Sequence, residues 1–333
     1  MMVVWTMLVL LALAWPAGWP RSRATSQAGL LRSRTTSVAA DPMRTIDVDQ
    51  RSRGYLVHLP PSYDGRTPLP VVLVLHGGGS NAEQTVRFTG MNEKADQAGF
   101  LAVYPNGTGR LARLLTWNAG NCCGYAARER VDDVAFVRAL LDDLGAHFAV
   151  DRTRVFATGI SNGGMMAHRL AAELGDRIAA VASISGPIGL GSIHPSRPVP
   201  VMHFHGTADD FAPFAGGTGR KSLSSIHFHS VAESIRAWVD ADHCREPPRV
   251  VAIPSAPGDT TRVHSETYAP CKDGAEVVLY VVTGGGHAWP GRQPRLGFLG
   301  TSTTSISAND RMWEFFQRHP LPGAVQMGQD PLP

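Results

Sequence analysis

Three short runs are apolar at nearly every position: Val71-Val72-Leu73-Val74-Leu75, Phe100-Leu101-Ala102-Val103-Tyr104 and Val155-Phe156-Ala157-Thr158. A strand with one wet face alternates polar and apolar residues. A continuous run needs cover on both faces, which a central sheet strand receives from helices above and below. Segments at helical spacing lie between and beyond these runs. They are Glu83 to Gly99, Asp132 to His147, Gly163 to Leu174, Val231 to Asp240 and Ala308 to Arg318. Further strand-like runs are Ile178 to Ile184, Val199 to Phe204 and Val277 to Val282. Strands that alternate with helices predict an α/β fold, with a mostly parallel central sheet and helices on both faces. Thr45 to Val48 and Tyr55 to Leu59 precede them and read as an antiparallel hairpin.

The organisation is simple. The apolar segment from Met1 to Trp19 meets polar residues at Arg21, and Ser26-Gln27-Ala28 offers a small-residue cleavage site. Residues 1–28 are therefore expected to be a signal peptide, although no Lys or Arg precedes the apolar run. Residues 29–42, rich in Ser, Thr and Arg, read as a flexible leader. No repeat or linker divides the rest of the chain, so 43–320 is expected to be a single domain and 321–333 a tail. The net charge of +3 falls to +1 without residues 1–28, which hold Arg21 and Arg23 and no acid. The remaining cations are scattered, which argues against a nucleic-acid partner. No later segment resembles a membrane span.

The sharpest local signal is Gly159-Ile160-Ser161-Asn162-Gly163, with a strand before it and a helix after it. A serine on such a strand-to-helix turn projects its hydroxyl from the sheet edge, and glycines on either side let the backbones pass closely. Serine needs a base and an orienting acid, which follow it in the chain in the order acid, then histidine. His205-Gly206-Thr207-Ala208-Asp209-Asp210 follows one strand, and Gly284-Gly285-Gly286-His287 follows another. The expected catalytic set is Ser161, Asp209 and His287. Asp209 is preferred to Asp210, because neighbours on an extended loop point opposite ways. Backbone N–H groups of Asn162 and of the His76-Gly77-Gly78-Gly79 turn would form the oxyanion hole, with Gly78 first and Gly79 next.

At this point the motifs match a family. LHGGGSN (Leu75 to Asn81), YPNG (Tyr104 to Gly107), TWNAGNCCG (Thr116 to Gly124) and VDDVAF (Val131 to Phe136) occur in the family's order. GISNGGMMAHRLA (Gly159 to Ala171), HGTADDFAP (His205 to Pro213), GGGHAWPG (Gly284 to Gly291) and MWEFF (Met312 to Phe316) complete the set. The chain resembles the secreted α/β-hydrolases of the poly(3-hydroxybutyrate) depolymerase-like and feruloyl or acetylxylan esterase-like family. The resemblance implies an α/β-hydrolase fold, hydrolysis of carboxylic esters without a cofactor, and export. The ester would be a small molecule, a plant polysaccharide ester or a polyester. It also suggests Trp117 and Trp289 as aromatic walls for substrate. A serine peptidase on the same fold and an inactive polymer-binding protein are the alternatives; intact Ser161, Asp209 and His287 argue against the second.

Four cysteines in an exported chain favour disulfides. Cys244–Cys271 is the expected bridge, leaving Cys122 and Cys123 as a vicinal or reduced pair. No metal site is expected. His203 with His205, and His227 with His229, share strand-face spacing, yet no carboxylate or cysteine completes a ligand set. Asp132 and Asp133 open a helix and read as its caps.

Overall fold

The structure, a computed structural model, describes residues 43–222, 225–293 and 297–322. The signal peptide and leader expected over 1–42, and the tail from 323 on, lie outside the described residues. Ten strands form one sheet: β1 Met43–Val48, β2 Arg51–His58, β3 Leu69–Leu75, β4 Leu101–Pro105, β5 Val150–Ile160, β6 Ala180–Ile184, β7 Val201–Gly206, β8 Arg249–Ile253, β9 Arg262–Tyr268 and β10 Val277–Thr283. Their spatial order is β1-β2-β4-β3-β5-β6-β7-β10-β9-β8. The centre, from β4 through β10, is parallel, while β1, β2, β9 and β8 pair antiparallel at the two edges. All the described residues belong to one compact unit, Asp41–Pro333.

The doubly covered sheet follows from the apolar runs. Successive residues of β3 face opposite sides, so Val71, Leu73 and Leu75 enter one core and Val72 and Val74 the other. The first core is closed by α4 Asp133–His147, α5 Asn162–Glu173 and α6 Val231–Ala241, through Leu140, Leu170 and Trp238. The second is closed by α2 Met91–Ala98 and α7 Ala308–Arg318, through Met91, Phe315 and Phe316. Two further helices, α1 Ala82–Thr89 and α3 Gly124–Arg128, complete the set.

Three local readings change. The single helix expected from Glu83 to Gly99 is two, because Gly90 adopts φ 62° and ends α1 before α2 begins. Asp132 does cap α4, accepting the Ala135 N–H, but Asp133 does not cap. It is fully buried and joins Arg53 (2.6 Å) to the Asn118 N–H (2.7 Å). Strands β8 and β9 were not expected. They extend one sheet edge, with β8 largely exposed, so they lack the buried face on which a sequence reading depends. The Cys244–Cys271 disulfide closes the segment that carries this hairpin, and Cys122 and Cys123 are paired with each other. No helix among the described residues is long and apolar enough to cross a membrane.

Candidate active site

Every loop expected to carry chemistry leaves the same edge of the sheet, where the parallel strands end. Ser161 follows β5 directly and has φ 58°, a left-handed value that L residues rarely adopt. The turn is held by crowding. A Cβ on Gly159 would lie 2.6 Å from the Gly163 carbonyl carbon, and one on Gly163 would lie 2.5 Å from the His76 carbonyl oxygen. Both neighbours are backbone, so neither can yield.

The side expected to carry the oxyanion hole is built on a polar clasp. The Asn162 side chain donates to the Trp117 carbonyl (3.0 Å) and accepts the Trp117 N–H (2.7 Å). The Trp117 indole donates to the His76 carbonyl (3.0 Å). His76 accepts the Gly107 N–H at Nε2 (2.9 Å), so its proton sits on Nδ1, which faces the Gly77 carbonyl at 2.8 Å. Burial pushes this imidazole down to about 4, so it is neutral near pH 7. Gly78 lies against Asn162, with room for only an ordinary contact. Neither the Gly78 nor the Asn162 backbone N–H donates to an acceptor among the described residues. Gly79, the second choice, is spent: its N–H donates to the Leu115 carbonyl (2.8 Å).

The acid and histidine meet directly. His287 Nδ1 lies 2.8 Å from Asp209 Oδ2, and both side chains are nearly buried. Asp209 Oδ1 accepts the N–H groups of Phe211 (2.8 Å) and Ala212 (2.9 Å). Burial works against its charge. The attraction and hydrogen bond of His287, the nearby His205 and the Ala212 N–H outweigh it and hold the carboxyl below its ordinary range. Asp210 points away and pairs with Arg220 (2.5 Å) and Lys221 (3.3 Å). No hydrogen bond joins Ser161 to His287 among the described residues. Such contacts are often long in unliganded enzymes and tighten around substrate.

The histidine loop has a support that the sequence reading missed. Its N–H groups at Gly286 and His287 donate to Thr301 (2.9 Å) and Leu299 (2.7 Å). That backing strand of loop is gripped by Asp259, from the turn between β8 and β9. Asp259 Oδ2 accepts from Thr303 Oγ1 (2.6 Å), the Thr304 and Ser305 N–H groups (2.8 and 2.9 Å) and Ser305 Oγ (2.6 Å). The unexpected hairpin therefore brings a carboxylate to the loop behind His287.

Trp117 and Trp289 require a correction. Both are fully buried, at 0% and 1% exposure, so neither offers a wall to substrate. Trp117 serves the clasp, and Trp289 donates its indole N–H to Asn309 (2.7 Å). The Phe211 ring lies beside His287, at 5.0 Å between centroids, and Phe298, 55% exposed, lies 6.0 Å from Phe211. Among the described residues no cluster of His, Cys, Asp and Glu could hold a metal ion.

A parallel sheet covered on both faces, with the serine elbow at its edge, places the molecule in the α/β-hydrolase class. The acetyl xylan esterase from Aspergillus awamori has the same fold, with a TM-score of 0.55 at 14% identity, over 83% of this chain and 99% of that one. Residues 53–242 match the family described as Esterase PHB depolymerase, and the chain belongs to that family of ester hydrolases. NocK of Nocardia uniformis subsp. tsuyamanensis, named provisionally as an esterase, is 35% identical over 85% of this chain and 84% of its own. Feruloyl esterase B of Piromyces equi is 28% identical over 71% of this chain, which spans 42% of that protein's length.

Proposed function

We propose that this chain is a secreted serine carboxylesterase that works through an acyl-enzyme on Ser161. The observation that carries the reading is the buried Asp209–His287 hydrogen bond at the same sheet edge as the strained serine. In this reading His287 Nδ1–H donates to Asp209, which leaves Nε2 as the base. His287 takes the Ser161 proton as Oγ attacks the ester carbonyl. The oxyanion is met by the N–H groups of Gly78 and Asn162, at the positive end of α5. His287 then protonates the departing alcohol, and a water activated by the same imidazole releases the acid.

The Phe211 ring beside His287, and the exposed Phe298 against it, favour an ester with an apolar or aromatic group near the bond. The feruloyl and acetyl xylan activities named for the relatives are in keeping with this. Export is supported by the apolar leader and by the Cys244–Cys271 disulfide. The test is to quench the reaction with a nitrophenyl ester and map the acylated peptide. The adduct should fall on Ser161; acylation elsewhere, or none during turnover, would refute the acyl-enzyme reading. Turnover of methyl ferulate, acetylated xylan and amorphous polyhydroxybutyrate then ranks the substrates.

A further inference from the structure

Behind the acid loop, three buried imidazoles form an unbroken line. The Trp238 indole N–H, on α6, donates to His168 Nδ1 (3.0 Å), on the helix that follows the nucleophile. His168 Nε2 lies 3.2 Å from His203 Nδ1, and His203 Nε2 lies 3.0 Å from His205 Nδ1. His205 Nε2 ends the line 2.7 Å from the Ala212 carbonyl. All four side chains are at most 1% exposed.

The two ends fix the direction of the whole line. An indole nitrogen can only donate, and a carbonyl can only accept. A neutral imidazole has one donor and one acceptor, so each of the three must carry its proton on Nε2. Turning one ring round would set two lone pairs, or two N–H groups, face to face in a dry core. A second proton on any ring would do the same. Burial alone pushes His168 down to about 3, and burial with neighbouring imidazoles holds His203 well below its ordinary range.

The line ends on the acid. His205 Nε2 holds the Ala212 carbonyl, while the Ala212 N–H holds Asp209 Oδ1. The same Nε2 lies 3.5 Å from Asp209 Oδ2, the oxygen that faces His287. We propose that Trp238, His168, His203 and His205 form a one-way hydrogen-bonded chain that positions Asp209 for His287, with its polarity set by the Trp238 donor and the Ala212 acceptor at its ends. His205 is thus a positioning residue, and the proposal rests on the reading of Asp209 as the acid of the triad. Without the indole donor, His168 Nδ1 is left unpaired in a dry core and only the Ala212 carbonyl still holds the direction. The line is then anchored at one end, and the turn that carries Asp209 loosens.

Nitrogen NMR of the histidine-labelled wild type tests the direction without reference to catalysis. His168, His203 and His205 should all be neutral Nε2–H tautomers at pH 7; an Nδ1–H tautomer or a charged ring among them overturns the chain. Trp238→Phe keeps an aromatic ring and removes the donor. It should lower kcat on a nitrophenyl ester about tenfold and leave KM within about twofold. His205→Gln, whose amide N–H can reach the carbonyl, should retain several-fold more kcat than His205→Leu. A folded Trp238→Phe with wild-type kcat and tautomers, or equal losses in the two His205 variants, contradicts the proposal; the His205 pair decides if Trp238→Phe does not fold. Activity surviving in Ser161→Ala would instead refute the triad while leaving the tautomer result standing.

Discussion

The two halves of the site are held by different physics. On the serine side, the Ser161 turn is fixed by backbones packed too closely for a side chain at Gly159 or Gly163. On the acid and histidine side, position comes from polar contacts: four acceptor bonds to Asp259 Oδ2, two backbone N–H groups on Asp209 and the histidine line behind it. Steric fixing is local and tolerates no added atom. Polar fixing draws on residues from β7, α5, α6 and the β8–β9 turn, and fails by degrees as donors are lost.

The comparison breaks first at Gly163. Gly163→Ala puts a methyl against the His76 and Leu75 carbonyls, so it should cost about 3 kcal/mol or more and deplete folded protein. A variant with wild-type melting temperature and activity would show that the elbow is not sterically fixed. Asp209→Asn removes an anion and an acceptor but adds no bulk. It should fold normally and lose on the order of 10³- to 10⁴-fold in turnover. Asp210→Asn should change the rate less than about tenfold, since Asp210 pairs only with exposed cations. If Asp210→Asn is the crippled variant, the acid is misassigned.

This difference also decides what the sequence made legible. Gly159, Ser161 and Gly163 sit within five residues, and their spacing alone describes the turn. Asp209 and His287 could be read because each follows a strand at a glycine-rich exit. The Asp259 clamp could not, because its partners lie more than forty residues away and β8 has no buried face. Trp117 and Trp289 were misplaced for a related reason. Nearness in sequence to catalytic motifs gave their location but not the direction of the rings, which packing and indole hydrogen bonds decide. His203 and His205 were seen to share a strand face, but His168 and Trp238 come from helices whose approach no local pattern encodes.

A smaller effect sharpens the cost of polar fixing. Asp242, at the end of α6, accepts the Val199 N–H through Oδ1 (3.0 Å), while Oδ2 has no partner. Burial raises its carboxyl from 3.8 to about 7. The folded value exceeds the unfolded one, so stability is full below about pH 4 and is lost as pH rises through about 7. Asp242→Asn keeps an acceptor for Val199 without the charge. Its melting temperature relative to wild type should rise between pH 5 and pH 8, by the equivalent of about 1–4 kcal/mol. A difference independent of pH would show that burial does not raise the Asp242 carboxyl above its unfolded value.

The central claim is that Ser161 is the nucleophile. The direct measurement is kcat/KM of purified Ser161→Ala on a nitrophenyl ester, beside its circular dichroism and melting temperature. The account predicts an intact fold and a loss on the order of 10⁴-fold or more. A folded variant that keeps a tenth of the activity would contradict it.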